Sequence, residues 1–236
     1  MKYSKNPKNQ TDFSLPFLGG FVQIDVQAGA PDKNLARVGE LLDRLAPPQG
    51  AIIVLPELWS FGFVYQDIGG QAAVTDDMLA RLAELAGRYQ ICLAGSLPEK
   101  RGEQDRVGYC NTLYFCGPDG VLGTYRKQQL FAPMAEDRHF QPGDSPRPVR
   151  TPWGLLGGIV CFDLRFPELA RGLSAQGARV LVVSAQWPAA RLGHWRILLQ
   201  ARAIENQAFV IACNRCGITG DTLFAGGVGR TDFPGG

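Results

Sequence analysis

Short, continuous apolar runs alternate along the chain with stretches whose apolar positions recur three and four residues apart. Runs of the first kind predict strands buried on both faces, and those of the second predict helices with one buried face. Phe17 to Val26 contains the β-like run Phe21-Val22-Gln23-Ile24-Asp25-Val26, and beyond Gly29-Ala30-Pro31 the residues Leu35, Val38, Leu41, Leu42 and Leu45 fall at helical spacing. Pro47-Pro48 stops that helix. Ala51-Ile52-Ile53-Val54-Leu55 is too short for a helix and reads as a buried strand ending at Pro56-Glu57. Thr75 stands where it could cap the next helix, whose apolar face is Met78, Leu79, Leu82, Leu85 and Ala86, and Ile91 to Leu97 is again a strand.

Residues 98–110 are charged and glycine-dotted, which predicts a surface loop. Thr112 to Cys116 and Val121 to Tyr125 flank Gly117-Pro118-Asp119-Gly120, a turn composition that predicts a hairpin. Gln128 to Arg147 has no periodicity and is rich in proline and charge, as expected of a long functional loop. Leu155 to Val160 then reads as a strand, and Pro167, tolerated only in a first turn, opens a helix to Gln176. Strand, helix and strand follow at Val180 to Ala185, about Gly193 to Asn206, and Phe209 to Cys213. With no internal repeat or linker, residues 1–236 read as one domain of alternating β and α elements.

Composition narrows the function. Lys+Arg 24 against Asp+Glu 22 leaves a formal net charge of +2, which removes any electrostatic case for a nucleic-acid or membrane-surface partner. No apolar run approaches the roughly 18 residues that span a bilayer, and the polar stretch Met1 to Ser14 lacks the apolar segment of a signal peptide. A cytoplasmic protein is expected. Six sparse cysteines (Cys92, Cys110, Cys116, Cys161, Cys213, Cys216) fit reduced thiols in a reducing compartment. Cys213-Asn-Arg-Cys216 has CxxC spacing, but no second pair or histidine cluster completes a zinc site.

Glu57, Lys127 and Cys161 each lie at or just past the C-terminal end of a strand-like run. Such ends gather on one edge of an α/β sheet, where ligands bind. There Glu57 can take the thiol proton and return it to a leaving amine. Lys127 can favour the thiolate and, with the Phe162 N–H, stabilise a tetrahedral oxyanion. Neither metal nor organic cofactor is required. The bland readings stand beside these: Cys161 as a small buried hydrophobe, Glu57 and Lys127 as a structural ion pair. His139 and His194 sit in no cysteine-protease context, and His194 reads as a packing or hydrogen-bonding residue.

Ile53-Val54-Leu55-Pro56-Glu57 with Gly62-Phe63, Tyr125-Arg126-Lys127-Gln128-Gln129-Leu130-Phe131, and Gly158-Ile159-Val160-Cys161-Phe162-Asp163-Leu164-Arg165-Phe166-Pro167-Glu168 resemble, in order, the three signature segments of the nitrilase superfamily of carbon–nitrogen hydrolases. The resemblance covers about residues 20–225. It implies a four-layer αββα sandwich, a Glu-Lys-Cys triad at Glu57, Lys127 and Cys161, and a usual homodimer or higher homo-oligomer. Glu136-Asp-Arg-His-Phe140-Gln-Pro-Gly143 matches the family's E-x-x-x-F-x-x-G segment. By that match Glu136 positions Lys127 and helps the substrate amide or the attacking water.

Ala185-Gln186-Trp187-Pro188 and the segment from His194 to Gln207 are similar to the ω-amidase and Nit-type branch. The resemblance implies attack on an amide by Cys161, loss of ammonia, and hydrolysis of a thioester. Substrates of that branch are small monoamides of dicarboxylates, such as 2-oxoglutaramate or deaminated glutathione. A distal carboxylate needs a cationic partner, for which Arg165, Arg191 and Arg196 are the candidates, while Trp187, Phe63 and Tyr65 could wall the pocket. Beyond Phe224 the sequence departs from the family's F-x-G-x-S-x-x-x-D-P-x-G segment, losing the serine and the Asp-Pro turn, so the C-terminus reads as truncated or altered, with flexible glycine-rich stretches. Two other functions fit the same residues: N-carbamoyl-amine hydrolysis, and a catalytically idle binding protein.

Overall fold

A computed structural model describes residues 18–102 and 107–216. In the first sheet β1 (Gly19–Phe21), β2 (Ile52–Val54) and β3 (Cys92–Arg101) are parallel, and β4 (Gly108–Gly117) and β5 (Gly120–Arg126) continue it antiparallel in the order β1-β2-β3-β4-β5. In the second, β6 (Val149–Thr151) pairs antiparallel with β7 (Gly154–Val160), which is followed by β8 (Val180–Ala185) and β9 (Phe209–Asn214) in parallel. The helices are α1 (Pro31–Leu45), α2 (Ile68–Ala73), α3 (Thr75–Tyr89), α4 (Pro167–Ala175) and α5 (Leu192–Asn206).

The continuous apolar runs are explained by what covers them. In β2 and just beyond, Ile53 and Leu55 pack with Leu35, Val38 and Leu42 of α1 and Met78, Leu79 and Leu82 of α3. Ile52 and Val54 point the other way, joining Val160 of β7 and Val180 and Val182 of β8. In β8, Leu181 and Val183 pack with Leu173 of α4 and Trp195, Leu199 and Ala203 of α5. Every second residue therefore enters the seam between the sheets, and its neighbours meet helices. The result is the four-layer αββα sandwich.

Several elements differ from the sequence reading. The expected strand Phe21–Val26 is paired only over Gly19–Phe21. Val22, Ile24 and Val26 remain buried, but the Val22 N–H donates to the Val54 carbonyl at 2.9 Å and the Ile24 carbonyl accepts from Cys216 N at 3.0 Å. Alternation there reports burial, while among the described residues no ladder pairing continues beyond Phe21. Most of the loop expected over 98–110 is hairpin: Glu99 faces Cys110, Lys100 faces Tyr109 and Arg101 faces Gly108. The charge serves the sheet, since Glu99 receives Arg126 at 2.6 and 2.5 Å and Thr112 at 2.7 Å.

Thr75 does not cap α3; Val74 holds that position, and the Thr75 hydroxyl donates to the Pro98 carbonyl at 2.6 Å. The six-residue α2 and three-residue β6 are too short for periodicity to reveal. Residues 128–147 form the expected irregular loop, with only the 3₁₀ turns Ala132–Met134 and Glu136–Arg138. The altered segment from Phe224 onward lies outside the described residues. Among these, no helix is long and apolar enough to cross a membrane.

Candidate active site

Cys161 directly follows β7 and opens a 3₁₀ turn, Cys161–Arg165, that leads into α4 with Pro167 as its first residue. Its backbone has φ of +45°, a left-handed conformation that costs a non-glycine residue energy and holds the side chain out at the sheet's end. The strain is held by Asp163, whose carboxylate accepts from Val160 N at 3.1 Å and the Tyr125 hydroxyl at 2.9 Å. The same carboxylate accepts from Gln128 N and Gln129 N at 3.2 and 2.8 Å, tying the turn to the segment just past Lys127.

Glu57 follows β2, and the chain reverses at Leu58, where φ is +43° and the N–H donates to Ser96 Oγ at 2.8 Å. Gln186, just past β8, joins the two sheets here. Its N–H meets Glu57 Oε2 at 3.1 Å, and its side-chain amide donates to the Glu57 carbonyl at 2.7 Å. Lys127, one residue past β5, gives its N–H to the Asn111 carbonyl at 2.9 Å. Its ammonium lies 2.7 Å from Glu57 Oε1 and 2.8 Å from both Glu136 oxygens. The Phe131 N–H donates to Glu136 Oε2 at 2.7 Å, which fixes the loop carboxylate. Glu57, Lys127 and Glu136 are only 0, 1 and 1 % exposed, a burial that charged side chains tolerate only when paired.

The electrostatics follow from burial and from two carboxylates sharing one ammonium. Burial raises the Glu57 carboxyl above its usual range and Glu136 adds to this, while Lys127 and the Cys161 thiol oppose it. Burial alone would lower the Lys127 ammonium, but Glu57 and Glu136 reverse this and hold it above the ordinary value. Burial and Glu57 push the Cys161 thiol well above its usual range, and Lys127 only partly offsets them. Lys127 thus acts in the direction of the thiolate, as the sequence suggested, without overcoming burial and Glu57. The arrangement is a neutral thiol beside a strengthened base.

These side chains line one pocket of about 480 Å³ including its mouth, together with Phe63, Tyr65, Phe162, Arg165, Trp187 and Arg191. The Arg165 guanidinium lies over the Trp187 ring, 5.0 Å from its centroid, and its Nη2 is 3.3 Å from His194 Nδ1. The sequence-derived aromatics Phe63, Tyr65 and Trp187 are all in the wall, and of the three arginine candidates only Arg196 is not. Asn111, Asp163 and Gln186 carry contacts that sequence reasoning did not single out. Among the described residues no group of three or more His, Cys, Asp or Glu is arranged to hold a metal ion.

Residues 20–229 match the family model described as carbon-nitrogen hydrolase. The chain belongs to this family. A 2-oxoglutaramate amidase of Bacillus subtilis is 34% identical over 209 residues, covering 87% of this chain and 78% of that protein. Omega-amidase YafV of Escherichia coli is 36% identical over 184 residues, covering 78% and 69%. Among solved structures, a mutant of the Nesterenkonia amidase with the acetamide moiety of fluoroacetamide on its active-site cysteine superimposes with a TM-score of 0.72. It is 30% identical and covers 84% of this chain and 75% of that one. This carbon–nitrogen hydrolase is thus a hydrolase of amide C–N bonds in the Nit and ω-amidase branch.

Proposed function

We propose that Glu57, Lys127 and Cys161 form the catalytic triad of a metal-independent amidase, with Glu136 as a fourth active-site residue. Glu57 takes the Cys161 proton as sulfur attacks the amide carbon. The oxygen, now anionic, is received by the Lys127 ammonium and the Phe162 N–H. Glu57 returns the proton to nitrogen, the C–N bond breaks and ammonia leaves a thioester. Water then gives a proton to Glu57 and its oxygen to the acyl carbon; the C–S bond breaks, Glu57 returns that proton to sulfur, and the acid departs with the thiol restored. Glu136 shares the ammonium and so keeps Lys127 aimed at the oxyanion.

The observation that carries this reading is the convergence of a strengthened base, an ammonium and a strained, partly exposed thiol on one pocket. The covalent adduct on the Nesterenkonia cysteine supports Cys161 as the nucleophile. The substrate we infer is a small carboxylate bearing an ω-amide, of the kind the two named amidase relatives act on. Arg165 and Arg191 are the cations at the pocket wall that can meet its carboxylate, and Trp187 the ring that can cover its methylenes. We further read the protein as cytoplasmic and homo-oligomeric.

The test is ammonia release from 2-oxoglutaramate and succinamate. Cys161→Ala should abolish turnover, and Glu57→Gln should lower kcat by about 10²–10⁴, the range typical of a lost general base. Equal release by wild type and Cys161→Ala would remove the triad assignment. Release of ammonia from N-carbamoyl amines but not from amides would replace the substrate class.

A further inference from the structure

Asn111 sits on β4, directly across the ladder from the strand end that carries Lys127, and is completely buried. Its side-chain nitrogen Nδ2 lies 2.8 Å from Glu57 Oε1 and 3.1 Å from Glu136 Oε1, so one amide group donates to both carboxylates. The Lys127 ammonium contacts those same two oxygens, at 2.7 and 2.8 Å. The two carboxylates thus share two bridges, one ionic and one neutral. The amide orientation follows from chemistry: turning it over would put the oxygen against two carboxylate oxygens. The present orientation leaves Asn111 Oδ1 buried with no partner among the described residues. An asparagine kept with its oxygen unpaired, so that both N–H groups reach the carboxylates, is one whose stable arrangement is set by those anions.

We propose that Asn111 is a positioning residue of the amidase reaction, whose two N–H donors bridge Glu57 and Glu136 and hold Glu57, as the carboxylate, ready to accept the Cys161 proton. The inference rests on the amidase reading above. A terminal –NH₂ is required. Serine offers one donor, leucine offers none, and aspartate would add a third carboxylate to a buried group that has a single ammonium. The charged or titratable groups facing Glu57 are Lys127 at the end of β5, Glu136 in the loop turn, Cys161 at the elbow and Tyr65 on the pocket wall. Only Lys127 among them carries positive charge, and the Gln186 and Phe131 N–H groups each reach one carboxylate alone, at Oε2, so besides Lys127 it is Asn111 that bridges the two facing Oε1 atoms.

The experiment measures kcat/KM against pH for ammonia release by wild type, Asn111→Ser and Asn111→Leu, and in parallel the rate of Cys161 alkylation by iodoacetamide against pH. Circular dichroism confirms that each variant is folded. Without the donors, protonated Glu57 is favoured. The acid limb of both profiles should move to higher pH, by about one unit for Asn111→Leu and by less for Asn111→Ser. At the pH optimum kcat should fall about 10- to 100-fold while KM changes less than about threefold. A purely structural asparagine would lower activity equally at all pH values, so coincident acid limbs in the folded variants overturn the proposal. The alkylation arm separates the two hypotheses. If wild type releases no ammonia, the amidase reading fails, while a shifted alkylation profile still supports Asn111 as the residue that keeps Glu57 ionised.

Discussion

At the scale of the residue, three buried charged side chains meet a thiol whose proton is held by burial and by Glu57. In the proposed reaction Glu57 must be ionised to accept the proton, and its carboxyl is raised above the ordinary value of 4.5 by burial and Glu136. Activity should therefore rise with pH along an acid limb lying above that of a free glutamate. The ammonium of Lys127 is held above its usual range and the Cys161 thiol is likewise raised, so neither titrates below about pH 9. A kcat/KM profile should show a plateau bounded on the acid side alone; an alkaline loss centred near neutrality would contradict the neutral-thiol assignment. In thiol labelling of the native protein, the partly exposed Cys161 should react ahead of the buried Cys92 and Cys213 despite its raised value, because access and an adjacent base both favour it.

At the scale of the element, the turn after β7 is held from its neighbours. Four donors converge on Asp163, yet burial still pushes its carboxyl up to about 6 from the ordinary 3.8. Because the folded value exceeds the unfolded one, protonated Asp163 contributes stability that is complete below about pH 4 and is lost as pH rises through about 6. The difference amounts to roughly 2–3 kcal/mol. Denaturant unfolding should show Asp163→Asn losing less stability than wild type between about pH 4 and 8. An equal loss in both would mean that Asp163 is not the group responsible.

The elbow also shows what the sequence makes legible. A strand such as Val180 to Ala185 announces itself because both faces are apolar, and Glu57, Lys127 and Cys161 stand out because each ends such a run. Asn111 does not. It lies inside a strand, and its partners are 54 and 25 residues away, so only the assembled sheets bring the three together. The charged arms of β3 and β4 were hidden for a related reason: Glu99 and Arg126 satisfy each other across strands, where composition alone suggests solvent.

At the scale of the molecule, α5 presents its inner face to the second sheet and leaves Ile197 and Ile204, seven residues apart, 64 and 61 % exposed. This outward apolar stripe is the surface we expect a second copy to cover. Sedimentation should find a dimer for wild type and a shift toward monomer for Ile197→Asp; a wild type that stays monomeric at micromolar concentration would remove the expectation.

The two sheets are also consecutive in the chain, β1 to β5 first and β6 to β9 after them. Glu57 and Lys127 belong to the first sheet, and Cys161 to the second. In the proposed reaction the base and the ammonium are therefore synthesised before the nucleophile, and the thiol meets its base where the two sheets pack against each other. On the proposed reading, the packing of the two sheets along their seam is what assembles the triad, so the site is a property of the closed sandwich and of neither sheet alone.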